Sequence, residues 1–280
     1  MIKVDKLNFI YNPGTALETY ALKDISFEIA AGEFVGIIGR TGCGKSTLIQ
    51  NLNGLLKATS GDILYKNISI YSKGYNMQIL RMHVGLVFQY PEYQLFEETV
   101  LADVKYGPKN TGKSEEEADR LAKRALSLVG IDESYYEKSP FELSGGEKRR
   151  VAIAGVLAME PRALILDEPT AGLDPNGRDE ILGQISKLHK ELGITVILVS
   201  HSMEDVAKYT QRVIALCDGQ LVYDGTPREV FKNYKQLEEI GLAAPQMVYV
   251  SNELRKAGYE IPEDAITVEE VATALKSQIK

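Results

Sequence analysis

Residues 33–50 read EFVGIIGRTGCGKSTLIQ, and the order of properties along them is more telling than any single letter. EFVGIIG is an apolar run of strand length. Glycines at 39, 42 and 44 then interrupt it, and KSTLIQNLNGLL follows with leucines at 48, 52 and 55, the spacing of one helix face. Strand, glycine loop and helix in that order are the setting a phosphate loop requires. Gly39, Gly44, Lys45 and Ser46 satisfy G-x-x-x-x-G-K-[ST]. A glycine-rich turn with a surface lysine would carry the same letters, but the flanking strand and helix favour the phosphate reading. The glycines let backbone N–H groups turn inward around a β-phosphate, helped by the positive end of the helix. Lys45 is then expected to reach the β- and γ-phosphates and the Ser46 hydroxyl to bind Mg²⁺. Arg40, Thr41, Gly42, Cys43 and Thr47 complete the expected ATP-binding stretch.

Outward from this loop the chain alternates strands and helices, which predicts an α/β fold. KVDKLNFIY and YALKDISFEI read as strands on the N-terminal side, separated by turn residues, and HVGLVFQ (83–89) as another beyond the first helix. From about 90 to 160 the pattern becomes helical. There Ser114 and Glu117 suggest a capping box, with Leu121, Ala125, Leu128 and Val129 striping one face. RALILDE (162–168) and TVILVSH (195–201) are continuous apolar runs, as expected when both faces of a parallel strand are buried. After about residue 225 the sequence turns charged and amphipathic. The organisation expected is therefore a domain over 1–225 with a helical subdomain near 90–160, and a small α-rich appendage over 226–280.

The two long apolar runs end in chemistry. Asp167 closes one and suits Mg²⁺ binding through water; Glu168 follows at once and suits polarising an attacking water. Gln89 ends HVGLVFQ with an amide able to ligate Mg²⁺ or water, and His201 ends TVILVSH as a donor to a γ-phosphate. Tyr11 offers a ring for stacking on adenine, and so does Tyr20 nearby.

A second candidate anion site lies about a hundred residues downstream, in FELSGGEKRR (141–150). Ser144, Gly145 and Gly146 open a helix whose first N–H groups would face an anion. One nucleotide does not need two such loops in one chain.

With the phosphate loop, the Gln89 segment, LSGGE, LILDEP, AGLD (171–174) and His201 in this order, residues 1 to about 225 resemble ABC-type ATPases. That resemblance implies a β-rich N-terminal subdomain, a RecA-like core and a helical subdomain. It also implies that two cassettes meet head to tail. Ser144, Gly145, Gly146 and Glu147 of one would close over ATP held by the other, with Asp174 in the loop between them. FQYPEYQLFEET (88–99), ELSGGEKRRVAIAGVLAMEP (142–161), NLNGLL (51–56) and AGLDPNGR (171–178) further resemble the ATPase subunits of energy-coupling factor importers, nearest to the second (A-prime) of two paralogues. The expected role is to power uptake of micronutrients, vitamins or cobalt and nickel ions. The expected partners are a second ATPase subunit, a transmembrane coupling subunit and a substrate-binding membrane component, with the appendage holding ATPase subunits together. A non-ECF transporter ATPase, or a non-transport ABC ATPase, is the alternative. Glu147 departs from the glutamine most signatures carry, and is expected to point away from phosphate. PEYQLFEET is expected to form a surface for a membrane subunit, with Tyr93, Leu95 and Phe96 apolar and Glu92, Glu97 and Glu98 acidic.

The bulk numbers agree with this reading and exclude others. A net charge of −7 argues against gripping nucleic acid, and no apolar run approaches the ~20 residues of a membrane span. The opening MIKVDKLNFIYN lacks the apolar segment of a secretion signal. Two cysteines, Cys43 and Cys217, are expected to stay reduced. The expected location is the cytoplasmic face of the cell membrane. Roughly fifty residues between Gln89 and Ser144 leave no room for the long coiled coils of chromosome and repair ATPases.

Overall fold

The computed structural model describes residues 1–278. The N-terminal part is an antiparallel sheet in the order β2-β1-β4-β5, formed by β1 (Ile2–Tyr11), β2 (Thr19–Ile29), β4 (Ser60–Tyr65) and β5 (Ile68–Ser69). Between β2 and β4 the chain leaves this sheet to build the phosphate loop, from β3 (Phe34–Gly39) into α1 (Lys45–Leu52). The helix is one turn shorter than its leucine spacing suggests. Asn53 caps it, and Gly54 follows with φ +71°, a left-handed conformation that suits glycine and stops the helix.

A six-stranded sheet in the order β10-β9-β3-β8-β7-β6 forms the centre. Its members are β3, β6 (Val84–Val87), β7 (Ala163–Asp167), β8 (Thr195–Val199), β9 (Arg212–Cys217) and β10 (Gln220–Gly225). All are parallel except β10, which returns as a hairpin on β9. Every residue of β3, β7 and β8 is buried, which is why these segments read as unbroken apolar runs. The β9–β10 hairpin, turning at Asp218–Gly219, and the short helix α2 (Met77–His83) ahead of β6 go beyond the sequence reading.

The helical part holds α3 (Val100–Asn110), α4 (Glu115–Leu128) and α5 (Gly145–Leu157). Ala122, Ala125, Leu126 and Val129 share one continuous core with α5 and the sheet. Ser114 caps α4 as expected, but Glu117 does not close the box. Its carboxylate pairs with Lys113 at 2.7 Å instead, because a cation one turn back outcompetes a neutral N–H.

Past β7 come α6 (Pro175–Leu192) and α7 (Met203–Tyr209), and past β10 the chain is helical: α8 (Pro227–Lys232), α9 (Tyr234–Glu239), α10 (Gln246–Lys256) and α11 (Val268–Lys276). Val230, Phe231, Leu237, Leu242 and Val248 share a core with Ile38 of β3 and Val213 of β9. Ile261, Ala265 and Val271 form a separate small cluster. The start of the C-terminal segment is therefore packed onto the main sheet, and its end stands on a core of its own.

Candidate functional site

Register lines up the carboxyl ends of the central strands. Ile37 of β3 pairs with Val199 of β8, and Asp167 of β7 pairs with the same Val199. The residues just past those ends are the ones the sequence singled out, and the sheet brings them together.

At the end of β3 the loop is built around glycine. Gly42 and Gly44 have φ +81° and +105°, and a Cβ on Gly44 would collide with the carbonyl oxygen of Ala21. Lys45 is buried, its ammonium donating to the carbonyl oxygens of Gly39 at 2.7 Å and Arg40 at 3.0 Å. Its charge is thus stored inside the loop on neutral carbonyl oxygens. Cys43 contributes its backbone to the loop, while its thiol is buried beneath, its pKa raised above the ordinary range by desolvation. Among the described residues both cysteines are free.

One turn into α1, the Ser46 hydroxyl donates to Asp167 Oδ2 at 3.0 Å. Burial pushes the Asp167 carboxyl up, and the Ser46 bond partly offsets this. The pair offers hard oxygen ligands and sits beside the loop, which suits Mg²⁺. Such an ion keeps waters and phosphate oxygens as its other ligands. Among the described residues no three His, Cys, Asp or Glu side chains gather as a metal cage.

Glu168 is the hub of the other half. Gln89 Nε2 donates to its Oε2 at 3.0 Å, and His201 Nε2 lies 2.6 Å from its Oε1. The backbone at Glu168 is left-handed, φ +48°, a conformation that costs a non-glycine residue about 1–3 kcal/mol and concentrates at functional sites. Hydrogen bonds from Glu168 N–H to Val199 and from Ala171 N–H to Glu168 hold it there. Beyond it opens a cleft of about 460 Å³, lined by Glu168, Gly172, Arg178, His201 and Ser202.

Tyr11 hydrogen-bonds Thr47 at 3.1 Å, which puts its ring beside the start of α1. Opposite it in the hairpin is Thr19, while Tyr20 faces Ile10, so Tyr11 and Tyr20 lie on opposite faces of the β1–β2 ribbon. Only Tyr11 is on the phosphate-loop side. Asp174 caps α6, accepting from Gly177 N–H at 2.7 Å.

The second glycine motif stands apart. Ser144 caps α5, and Glu147 closes a full capping box on it: its Oε2 accepts both the Ser144 hydroxyl, at 2.7 Å, and the Ser144 N–H, at 2.8 Å. The expectation that Glu147 points away is thereby corrected. Free donors at a helix start attract the nearest carboxylate, and Glu147 is three residues away. Gly145 and Gly146 have open space where a side chain would be.

PEYQLFEET is also not the uniform surface its letters suggest. Tyr93 and Phe96 are exposed, but Leu95 is buried in the helical core. Glu92 turns inward to Arg149, which is 2% exposed, at 2.8 Å and 3.2 Å. Arg149 Nη1 then donates to the carbonyl oxygens of Pro169 and Ala171, both at 2.9 Å. One buried guanidinium thus ties the segment after Gln89, the helix after Ser144 and the loop after Glu168. Sequence reading passed over it, because a lysine–arginine run at a helix start resembles a solvated face and its partner is 57 residues away.

The ABC transporter family model matches residues 22–171, from β2 through the loop after Glu168. The chain belongs to the ABC transporter family. Within it, the energy-coupling factor transporter ATP-binding protein EcfA2 of Clostridium perfringens is 56% identical over 280 residues, covering all of this chain and 98% of that one. The protein of the same name from Caldanaerobacter subterraneus is 56% identical over 269 residues, 96% of this chain and 94% of that one. Among solved structures, cbiO1 of Clostridium perfringens, described as part of the ABC transporter complex cbiONQ, superposes with a TM-score of 0.76 at 43% identity over 90% of this chain and 98% of that one. MJ0796, a dimeric ATP-binding cassette bound to ADP and Pi, gives 0.71 at 32% identity over 81% and 99%. This ABC-family chain is accordingly an ATP-binding and ATP-hydrolysing protein of the energy-coupling factor type.

Proposed function

We propose that the chain works as one of two ATPase subunits that drive an energy-coupling factor importer of micronutrients through a membrane-embedded coupling subunit. A paralogue or a second copy is the partner ATPase, and a separate membrane component selects the cargo. Support comes from the relative described as part of cbiONQ and from the dimeric form of MJ0796. Among the described residues no helix is long and apolar enough to cross a membrane. That fits a peripheral subunit at the cytoplasmic face, docked by the exposed Tyr93 and Phe96. Residues 226–280 would join ATPase subunits, and the separate cluster of Ile261, Ala265 and Val271 suits a module of that kind.

The observation that carries the catalytic reading is the Gln89–Glu168–His201 group beside Ser46 and Asp167. ATP would lie along Gly39–Thr47 with adenine against Tyr11. Lys45 would exchange two carbonyl oxygens for phosphate oxygens. Ser46 and Gln89, with Asp167 through water, would hold Mg²⁺, which neutralises phosphate charge. Glu168 would take a proton from the attacking water, its carboxylate oriented by Gln89 and His201. His201, at the mouth of the cleft, would donate to the γ-phosphate. Ser144, Gly145 and Gly146 of the partner would close over that phosphate, with Asp174 in the adjoining loop. ATP then forms part of the interface, and hydrolysis loosens it.

Glu168→Gln tests this directly. It should keep ATP binding and accumulate ATP-dependent closed dimers, seen by size-exclusion chromatography, with hydrolysis nearly lost. Hydrolysis at the wild-type rate would remove Glu168 as the base.

A further inference from the structure

A serine hydroxyl has one proton to give. That of Ser144 is donated to Glu147 Oε2 at 2.7 Å, and the same oxygen accepts the Ser144 N–H at 2.8 Å. In the head-to-tail site proposed above, on which this inference rests, the hydroxyl belongs to the partner's γ-phosphate. It is occupied by the chain's own carboxylate instead. The Ser144 hydroxyl and N–H, against some desolvation, hold the Glu147 carboxyl below its ordinary value, helped by the Tyr135 hydroxyl and the charge of Arg150, so it is ionised at neutral pH. A negative charge therefore stands where a negative phosphate would arrive.

A second position for this carboxylate is at hand. One turn along α5, Arg150 Nη1 donates to Glu180 at 2.6 Å, while its Nε is buried and, among the described residues, has no hydrogen-bond partner. An unpartnered guanidinium N–H three residues from a carboxylate is within reach by a change of rotamer.

We propose that Glu147 is a positioning residue that gates the signature serine: it holds Ser144 while no triphosphate faces it, and moves toward Arg150 to release Ser144 to the partner's γ-phosphate. The gate raises the ATP concentration needed for closure, because a charge-assisted hydrogen bond must break before a new one forms. It leaves the chain's own phosphate loop untouched. A glutamine in the same place would accept the same proton as a neutral, weaker partner and bring no charge against phosphate.

The experiment uses the chain assembled with its partner ATPase and membrane subunits, comparing wild type, Glu147→Gln, Arg150→Gln and Ser144→Ala in hydrolysis across ATP concentration. Glu147→Gln should lower KM for ATP about three- to tenfold, without an equal gain in kcat. Arg150→Gln, which removes the second position, should raise KM. Binding of a fluorescent ATP analogue to the unassembled full chain, which reads its own phosphate loop, should be the same in wild type and Glu147→Gln. A purely structural cap would instead show a lower Tm with KM unmoved or raised. If Ser144→Ala slows turnover but Glu147→Gln leaves KM unchanged or raises it, the gate is wrong and the composite site stands. If Ser144→Ala hydrolyses like wild type, the composite site itself is wrong.

Discussion

The two anion-binding regions of this chain are built from similar letters and end in opposite states. In the phosphate loop, the cation that would meet a nucleotide is stored on neutral carbonyl oxygens, Gly39 and Arg40, which it can leave without stranding a charge. In the signature loop, the donors that would meet a nucleotide are held by a carboxylate, Glu147. The first region is open to an anion; the second is shielded from one. Glycine supplies backbone freedom in both, but the residue three places past Ser144 decides whether that freedom is available. The lesson is that a helix N-terminus becomes an anion site only when the chain's own acids leave it unoccupied.

That contrast can be broken from either side, and the largest expected effect lies at the hub. Glu168→Gln should lower kcat by about 10²- to 10⁴-fold, the usual contribution of a general base, while ATP binding persists; single-turnover kinetics would measure it. Lys45→Ala removes the stored cation and should weaken ATP binding about a hundredfold or more, by titration calorimetry, with the signature half still able to serve a wild-type partner. Arg149→Met reaches the connection between the halves. It leaves Glu92 and two carbonyl oxygens without their buried partner, at a cost of about 3–5 kcal/mol, read as a lower midpoint in urea.

The smallest effect tests the phosphate half alone. Burial raises the Asp167 pKa, so the folded chain binds this proton more tightly than the unfolded chain does. The contribution of Asp167 to stability is therefore greatest at pH below its ordinary value and falls as pH rises through the raised one. Asp167→Asn keeps an acceptor for Ser46 and should raise the ligand-free Tm by about 2–4 °C at neutral pH, while Mg²⁺-dependent hydrolysis falls. A lower Tm would mean that the Ser46 bond outweighs desolvation.

Much of this site was legible before any coordinate. The phosphate loop, the acidic strand end, Gln89 and His201 all sit where a strand stops, and an apolar run closed by a polar residue is a local pattern. The central strands were legible for the same reason, being buried on both faces. Where reading by pattern fell short, a competing partner was present in space. Glu117 turned to Lys113, Glu147 to Ser144, and Glu92 to Arg149, each leaving a role its position along the chain suggested.

The amino-acid sequence on its own determined that the chain is an α/β ATPase with a phosphate loop, an acidic pair and a serine–glycine signature, because loop geometry and strand burial depend on neighbours within about twenty residues. Tertiary structure alone decided which ring lies beside the loop, which arginine is buried and where Glu92 turns. Tyr11 meets Thr47 and Arg149 meets Glu92 across 36 and 57 residues, separations that only packing closes, whereas Glu117 and Glu147 are claimed by partners four and three residues away.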